Sequence, residues 1–134
     1  MKRAALIGIC VLVAGAAWSQ SEANFQTWMK NIGATCGSLK KNLDTKSGAA
    51  AAADARKLHA AFQDVHAFFQ KKSSEDAMKF AMGAGDGSDK IAAQASAGKF
   101  DEASATFKAT TANCGGCHSA HREKATDGSF KIKY

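Results

Sequence analysis

No proline occurs anywhere in the 134 residues. Proline costs about 3 kcal/mol inside a helix, whereas every other residue costs about 1 kcal/mol or less, so nothing here forces a helix to stop. Alanine-rich stretches such as "GAAAAADARKLHAAF" (48–62) push the same way, and strand signals are nearly absent. The fold class this points to is all-α.

Spacings of three and four between apolar residues divide the chain into four helices. The first is expected over about 24–42, with Phe25, Met29, Ile32, Cys36, Leu39 and Leu43 recurring along it. A second over about 50–71 carries Leu58, Phe62, Val65 and Phe69. The third begins after Ser73 or Ser74, N-cap residues followed by Glu75 and Asp76 at the positive end of the helix dipole. It carries Met78, Phe80, Met82 and Ile91, and "GAGDG" (83–87) is expected to loosen it locally. That glycine patch follows a helical pattern rather than a strand, so it does not read as a phosphate loop. The fourth helix is expected from near Asp101, carrying Phe107, to about 127–128, with "SFKIKY" as a short tail against the bundle. Short connections imply antiparallel neighbours, hence an antiparallel four-helix bundle. Aromatics make up only 8% of the chain and many apolar positions are alanine or glycine, which bury little area each. Such a bundle is underfilled unless something large and flat occupies its interior.

Residues 1–19 read as a cleaved secretory signal peptide: Lys2 and Arg3, then the short apolar run "AALIGICVLVAGAA", then "AWS" with small residues at the cleavage positions. Cys10 does not sit in a lipid-anchor context, because Ile9 stands where a small residue is needed. Residues 20–134 remain as one four-helix domain, exported and expected in a periplasm, with no membrane span of its own. Removing Lys2 and Arg3 lowers the formal charge from +6 to +4. With no Lys/Arg cluster, a nucleic-acid partner has no support, although the lysines can steer the chain toward an acidic redox partner.

Three cysteines then remain: Cys36, Cys114 and Cys117. An odd count suits a disulfide scaffold poorly. Cys114 and Cys117 fall in "CGGCHSAHR" (114–122). As a zinc clip, Cys114, Cys117, His118 and His121 offer suitable ligand types, but four ligands within eight residues of one helix cannot readily surround a metal. As a redox dithiol, the pair lacks the strand that precedes it in an α/β pattern. Cys-x-x-Cys-His is the signature of covalent c-type haem attachment. On a helix Cys114 and His118 lie one turn apart on one face with Cys117 beside them. Two thiols can then bond the macrocycle's edge while the imidazole reaches its iron, and Gly115 and Gly116 keep bulk away.

On this motif, its place near the C-terminus and the four-helix pattern, the chain resembles the class II c-type cytochromes, which include cytochrome c prime and its low-spin relatives. The resemblance implies one haem c, with thioethers to Cys114 and Cys117, His118 as proximal iron ligand and Arg122 shielding it. In the low-spin branch a methionine on the first helix is the sixth ligand; Met29 in "WMKNIGATCGSL" (28–39) matches it. Gly33, one turn on, stands where cytochrome c prime has its covering residue, and it leaves that space open. The implied function is non-enzymatic: single-electron transfer between periplasmic donor and acceptor proteins, with five-coordinate binding of nitric oxide or carbon monoxide as the alternative. Some relatives pair through their first two helices, so a homodimer stays open. Of the other residues, Cys36 is expected as a small core hydrophobe, and His59, His66 and His121 as surface or boundary residues. Phe107, Thr110 and Thr111 are expected to line the proximal side of the haem, and Phe25, Trp28 and Ile32 to flank Met29.

Overall fold

The structure is a computed structural model and describes residues 22–134; the expected leader at 1–19 lies outside them. Four helices follow one another: α1 (Glu22–Asp44), α2 (Gly48–Lys71), α3 (Glu75–Ser96) and α4 (Phe100–His121). Two short strands, β1 (Arg122–Lys124) and β2 (Phe130–Ile132), close the chain as an antiparallel hairpin in which Arg122 faces Ile132 and Lys124 faces Phe130. The helices pack against one another in chain order, and α4 returns to touch α1 more lightly. No helix among the described residues is long and apolar enough to cross a membrane.

The three interhelical turns are built alike. In each, the residue before the N-cap adopts a left-handed conformation: Lys46 (φ 54°), Ser73 (φ 55°) and Gly98 (φ 73°). The next amide then reaches back five residues, from Ser47 to Asn42, Ser74 to Phe69 and Lys99 to Gln94. This is the Schellman arrangement, which satisfies carbonyls left open at a helix end and turns the chain at once. Only one of the three positions is a glycine, so two turns carry the strain of a side chain at positive φ.

Two expectations about helix limits fail. The "GAGDG" patch does not loosen α3, which runs unbroken through it. Its glycines serve close approach instead: a Cβ on Gly83 would meet the Asn113 side chain at 2.7 Å, and one on Gly87 would overlap the Thr110 hydroxyl, both on α4. Gly116 on α4 answers in kind, since a Cβ there would meet the Phe80 ring at 2.5 Å. Nor does α4 continue to 127–128. It ends at His121, because Arg122 is extended, and the hairpin turn at Gly128 (φ 84°) is fixed by Asp127, which accepts from the Ser129 amide and hydroxyl. The "SFKIKY" tail therefore pairs as a strand, and Ile132 packs on the core. At its other end α4 begins at Phe100, near the expected Asp101, with Lys99 at its N-cap.

The core divides along the bundle. Toward one end, Leu39, Leu43, Leu58 and Ile91 interlock with buried alanines such as Ala51, Ala55, Ala92 and Ala103, whose small size brings the helices close. A buried carboxylate, Asp54, joins α2 to α1 by accepting from the Ser38 hydroxyl (2.6 Å) and the Asn42 amide (2.8 Å). Toward the other end, Phe25, Trp28, Phe68, Phe69 and Tyr134 form an aromatic cluster. Beside that cluster the packing opens.

Candidate functional site

An apolar cavity of about 530 Å³ lies where α1 and α4 part, within the range of about 300–1,000 Å³ common for small-molecule and cofactor sites. Ile32 and Phe25 of α1, Phe62, Val65 and Phe69 of α2, and Phe80, Ala81 and Ala84 of α3 supply its apolar wall. The chemistry comes from the edges. Cys114, Cys117 and His118 enter from α4, Met29, Gly33 and Cys36 from α1, and Arg122, Phe130, Lys131 and Ile132 from the hairpin. All five residues singled out in the sequence (Met29, Cys114, Cys117, His118 and Arg122) thus line one cavity.

The close α3–α4 seam explains the motif's position. With no side chains at Gly83, Gly87 and Gly116, α4 lies tightly on α3 and turns Cys114 and Cys117 toward the opening. Phe80, seated over Gly116, forms part of the same wall. Cys36, Cys114 and Cys117 are free thiols. Burial, with the neighbouring Cys114 adding to it, pushes the Cys36 and Cys117 thiols up to about 11, and burial raises Cys114 too. They are therefore neutral thiols at ordinary pH, slow to react until something activates them. Burial and then the nearby Arg122 charge hold His118 below the ordinary imidazole value. Its ring is neutral near pH 7, the form that ligates a metal. Arg122 itself is exposed and lies 3.8 Å from the centre of the Phe130 ring.

His121 is not the surface or boundary residue its position suggested. It is buried, with Nε2 2.9 Å from Asp76 Oδ2 and Nδ1 2.9 Å from the Lys133 carbonyl. Desolvation pushes the Asp76 carboxyl up, but hydrogen bonds from His121 and the Ala77 amide, together with the His121 charge, bring it below its usual value. With the Lys133 amide donating to the His121 carbonyl, this clasp ties the hairpin to the ends of α3 and α4. It also engages both ring nitrogens, so His121 is not free to complete a zinc clip. Among the described residues no three His, Cys, Asp or Glu side chains gather to hold a metal ion.

Some expected neighbours stand elsewhere. Phe25, Ile32 and Thr111 line the cavity, whereas Trp28 packs on Phe25 and Phe68, Thr110 faces Gly87, and Phe107 rests against the core. His59 and His66 border a separate hollow, where His59 bonds the Gly85 carbonyl and Gln63. Cys36, half-buried, packs against the core as expected of a small hydrophobe and also lines the cavity. The part of the site hidden from the sequence is the hairpin rim, since contact between residues 122–132 and α1 at 25–36 depends on how the bundle closes. No protein-family model matches the chain, and searches of curated proteins and of solved structures returned no similar protein.

Proposed function

We propose that the chain is an exported, periplasmic monohaem c-type cytochrome of class II type that carries single electrons between protein partners. The observation that carries this reading is the convergence of two thiols, a neutral histidine and a thioether on one apolar cavity sized for a cofactor. Cys114 and Cys117 would hold haem c by two thioether bonds, and His118 of α4 and Met29 of α1 would ligate its iron. Bound there, the haem supplies a one-electron iron couple, whose potential a methionine ligand raises. The protein's part is to exclude water with the aromatic and aliphatic wall, to keep His118 neutral through burial and Arg122, and to present Met29 from α1. No substrate is transformed in this reading.

A second reading has one observation in its favour. Space beside Gly33 is open, with nothing within 4 Å of where a Cβ would stand, so a small neutral gas could enter next to Met29. The experiment for the attachment itself is intact-mass measurement of protein coexpressed with the haem-attachment machinery, after unfolding. One haem should remain bonded to the wild type, be held by a single bond in Cys114→Ser or Cys117→Ser, and be absent from the double variant. A wild-type mass without haem would overturn the reading.

A further inference from the structure

Cys36 is a thiol that the proposed function leaves unused. It lines the same cavity as Cys114 and Cys117, from α1 rather than α4, and all three are half-buried free thiols. The ends of the chain show how the two helices are aligned. Gln26 Nε2 donates to the Phe130 carbonyl at 2.9 Å and the Tyr134 hydroxyl to Glu22 at 3.1 Å. The start of α1 therefore lies beside the chain beyond α4, and the two helices run in opposite directions. The step from Met29 to Cys36 covers about 10 Å along α1, and the step from His118 back to Cys114 covers about 6 Å along α4. Both lead away from the tail, which brings Cys36 toward Cys114 rather than Cys117. Of the two motif thiols, it is Cys114 whose charge raises the Cys36 thiol. The motif's own pair is the poorer match for a bond. α4 runs unbroken through Cys114 and Cys117, where Cβ atoms three residues apart stand about 5–6 Å from each other, and a disulfide needs about 3.5–4.5 Å. α1 and α4 touch only lightly, so drawing them together breaks no close seam, and it covers the apolar wall between them.

We propose that Cys36 and Cys114 form a disulfide across the cavity in the haem-free chain, joining α1 to α4 and holding the cavity shut. Its oxidant is a small disulfide of the glutathione class. One cysteine thiolate attacks that disulfide and expels one thiol, and the second cysteine displaces the other thiol from the mixed disulfide. One S–S bond breaks and one forms. The two cysteines lose two electrons to the small disulfide, and their two protons leave on its two thiols. The compartment proposed above is oxidising, where such bonds persist. No neighbouring cation holds either thiol as a stabilised thiolate, the device that makes a disulfide easy to reduce. The pair stands on the cavity alone; its consequence, that Cys36 competes with haem for Cys114, rests on the electron-carrier reading.

The test equilibrates the haem-free chain with mixtures of reduced and oxidised glutathione at mildly alkaline pH, alkylates the remaining thiols and digests the product with trypsin without reduction. Cleavage at Lys30, Lys40, Lys108 and Arg122 puts Cys36 in one peptide (31–40) and both motif cysteines in another (109–122). The two peptides should be found joined, with Cys117 alkylated. Cys117→Ser should keep the link, and Cys114→Ser should lose most of it. The link should withstand a glutathione ratio about tenfold more reducing than the loop of Cys114 and Cys117 withstands in Cys36→Ser. In concentrated urea, where the bundle no longer sets Cys36 opposite Cys114, the link should give way to that short loop. A main product joining Cys114 to Cys117 in native buffer, two chains joined through Cys36, or cysteines alkylated or capped by glutathione at every ratio would each overturn the pair. Protein coexpressed with the haem-attachment machinery separates this inference from the reading beneath its consequence. Haem bonded to Cys114 should leave Cys36 open to alkylation, whereas the Cys36–Cys114 link in a colourless protein would leave the pair standing and remove the haem.

Discussion

Gly87→Ala isolates the α3–α4 seam that seats Cys114 and Cys117. In an open helical position, replacing glycine by alanine stabilises by about 1 kcal/mol. At Gly87 the new methyl group would overlap the Thr110 hydroxyl and come within 2.8 Å of its Cγ2 and 3.0 Å of its Cβ. Thr110 has little room to yield, being 8% exposed with its hydroxyl donated to the Thr106 carbonyl at 2.7 Å. Overpacking of this kind costs about 1–3 kcal/mol, and a displaced hydroxyl adds about 1 kcal/mol for its lost hydrogen bond. The sum is a net loss of about 1–3 kcal/mol, or a fall in melting temperature of about 4–12 °C for a domain of this size. Thermal unfolding followed by circular dichroism, on the haem-free chain, reads it directly. Gly37→Ala, on α1 with nothing within 4 Å of the added atom, is the control and should gain up to about 1 kcal/mol. The double variant Gly87→Ala/Thr110→Ala should recover most of the loss, giving a coupling energy of the sign a steric contact requires. If Gly87→Ala raised the melting temperature as Gly37→Ala does, α3 and α4 would not touch as described, and the seating of Cys114 and Cys117 would lose its physical basis.

Other consequences follow from the same contacts. Removing the Phe68 ring, which is 1% exposed and stacked among Phe25, Trp28, Phe69 and Tyr134, should cost about 3–5 kcal/mol in urea unfolding. The Asp76–His121 clasp makes stability depend on acid. Because the Asp76 carboxyl lies below its usual value, its contribution is complete above about pH 4 and fades as the pH falls through that lowered value. The stability difference between wild type and Asp76→Asn should therefore shrink to nothing on acidification; a difference unchanged at pH 2 would refute the clasp. Thiol labelling should count three slow cysteines in the haem-free chain, with the rates at Cys36 and Cys117 rising steeply as the pH approaches 11. In the loaded protein only Cys36 should remain to be labelled.

Much of this architecture is legible in the chain because it is local. Helix content follows from the lack of proline and the spacing of apolar residues. Ser74 sits at the start of α3 as its cap-forming chemistry suggests, although its hydroxyl bonds the Asp76 carboxylate rather than a helix amide. The Cys-x-x-Cys-His spacing is read without a fold, and its three side chains do line one cavity. The failures are non-local. Glycines at 83 and 87 look like helix breakers until α4 lies against them, when the missing side chains become the reason the two helices fit. Lys46 and Ser73 take left-handed conformations with no glycine to announce them. His121 reads as a surface residue because its partners, Asp76 and Lys133, lie 45 and 12 positions away. The end of α4 at His121 is likewise set by the pairing of Arg122–Lys124 with Phe130–Ile132, not by a stop signal within the helix.

The measurement closest to the central claim is the visible absorption spectrum of the loaded protein, oxidised and reduced, before and after carbon monoxide, in wild type and Met29→Ala. His118 and Met29 ligation predicts sharp low-spin bands in both oxidation states, unmoved by carbon monoxide in wild type and displaced by it in Met29→Ala. A broad high-spin spectrum that shifts at once when carbon monoxide is added to wild type would contradict Met29 ligation and leave gas binding as the function. A colourless protein would contradict the haem itself.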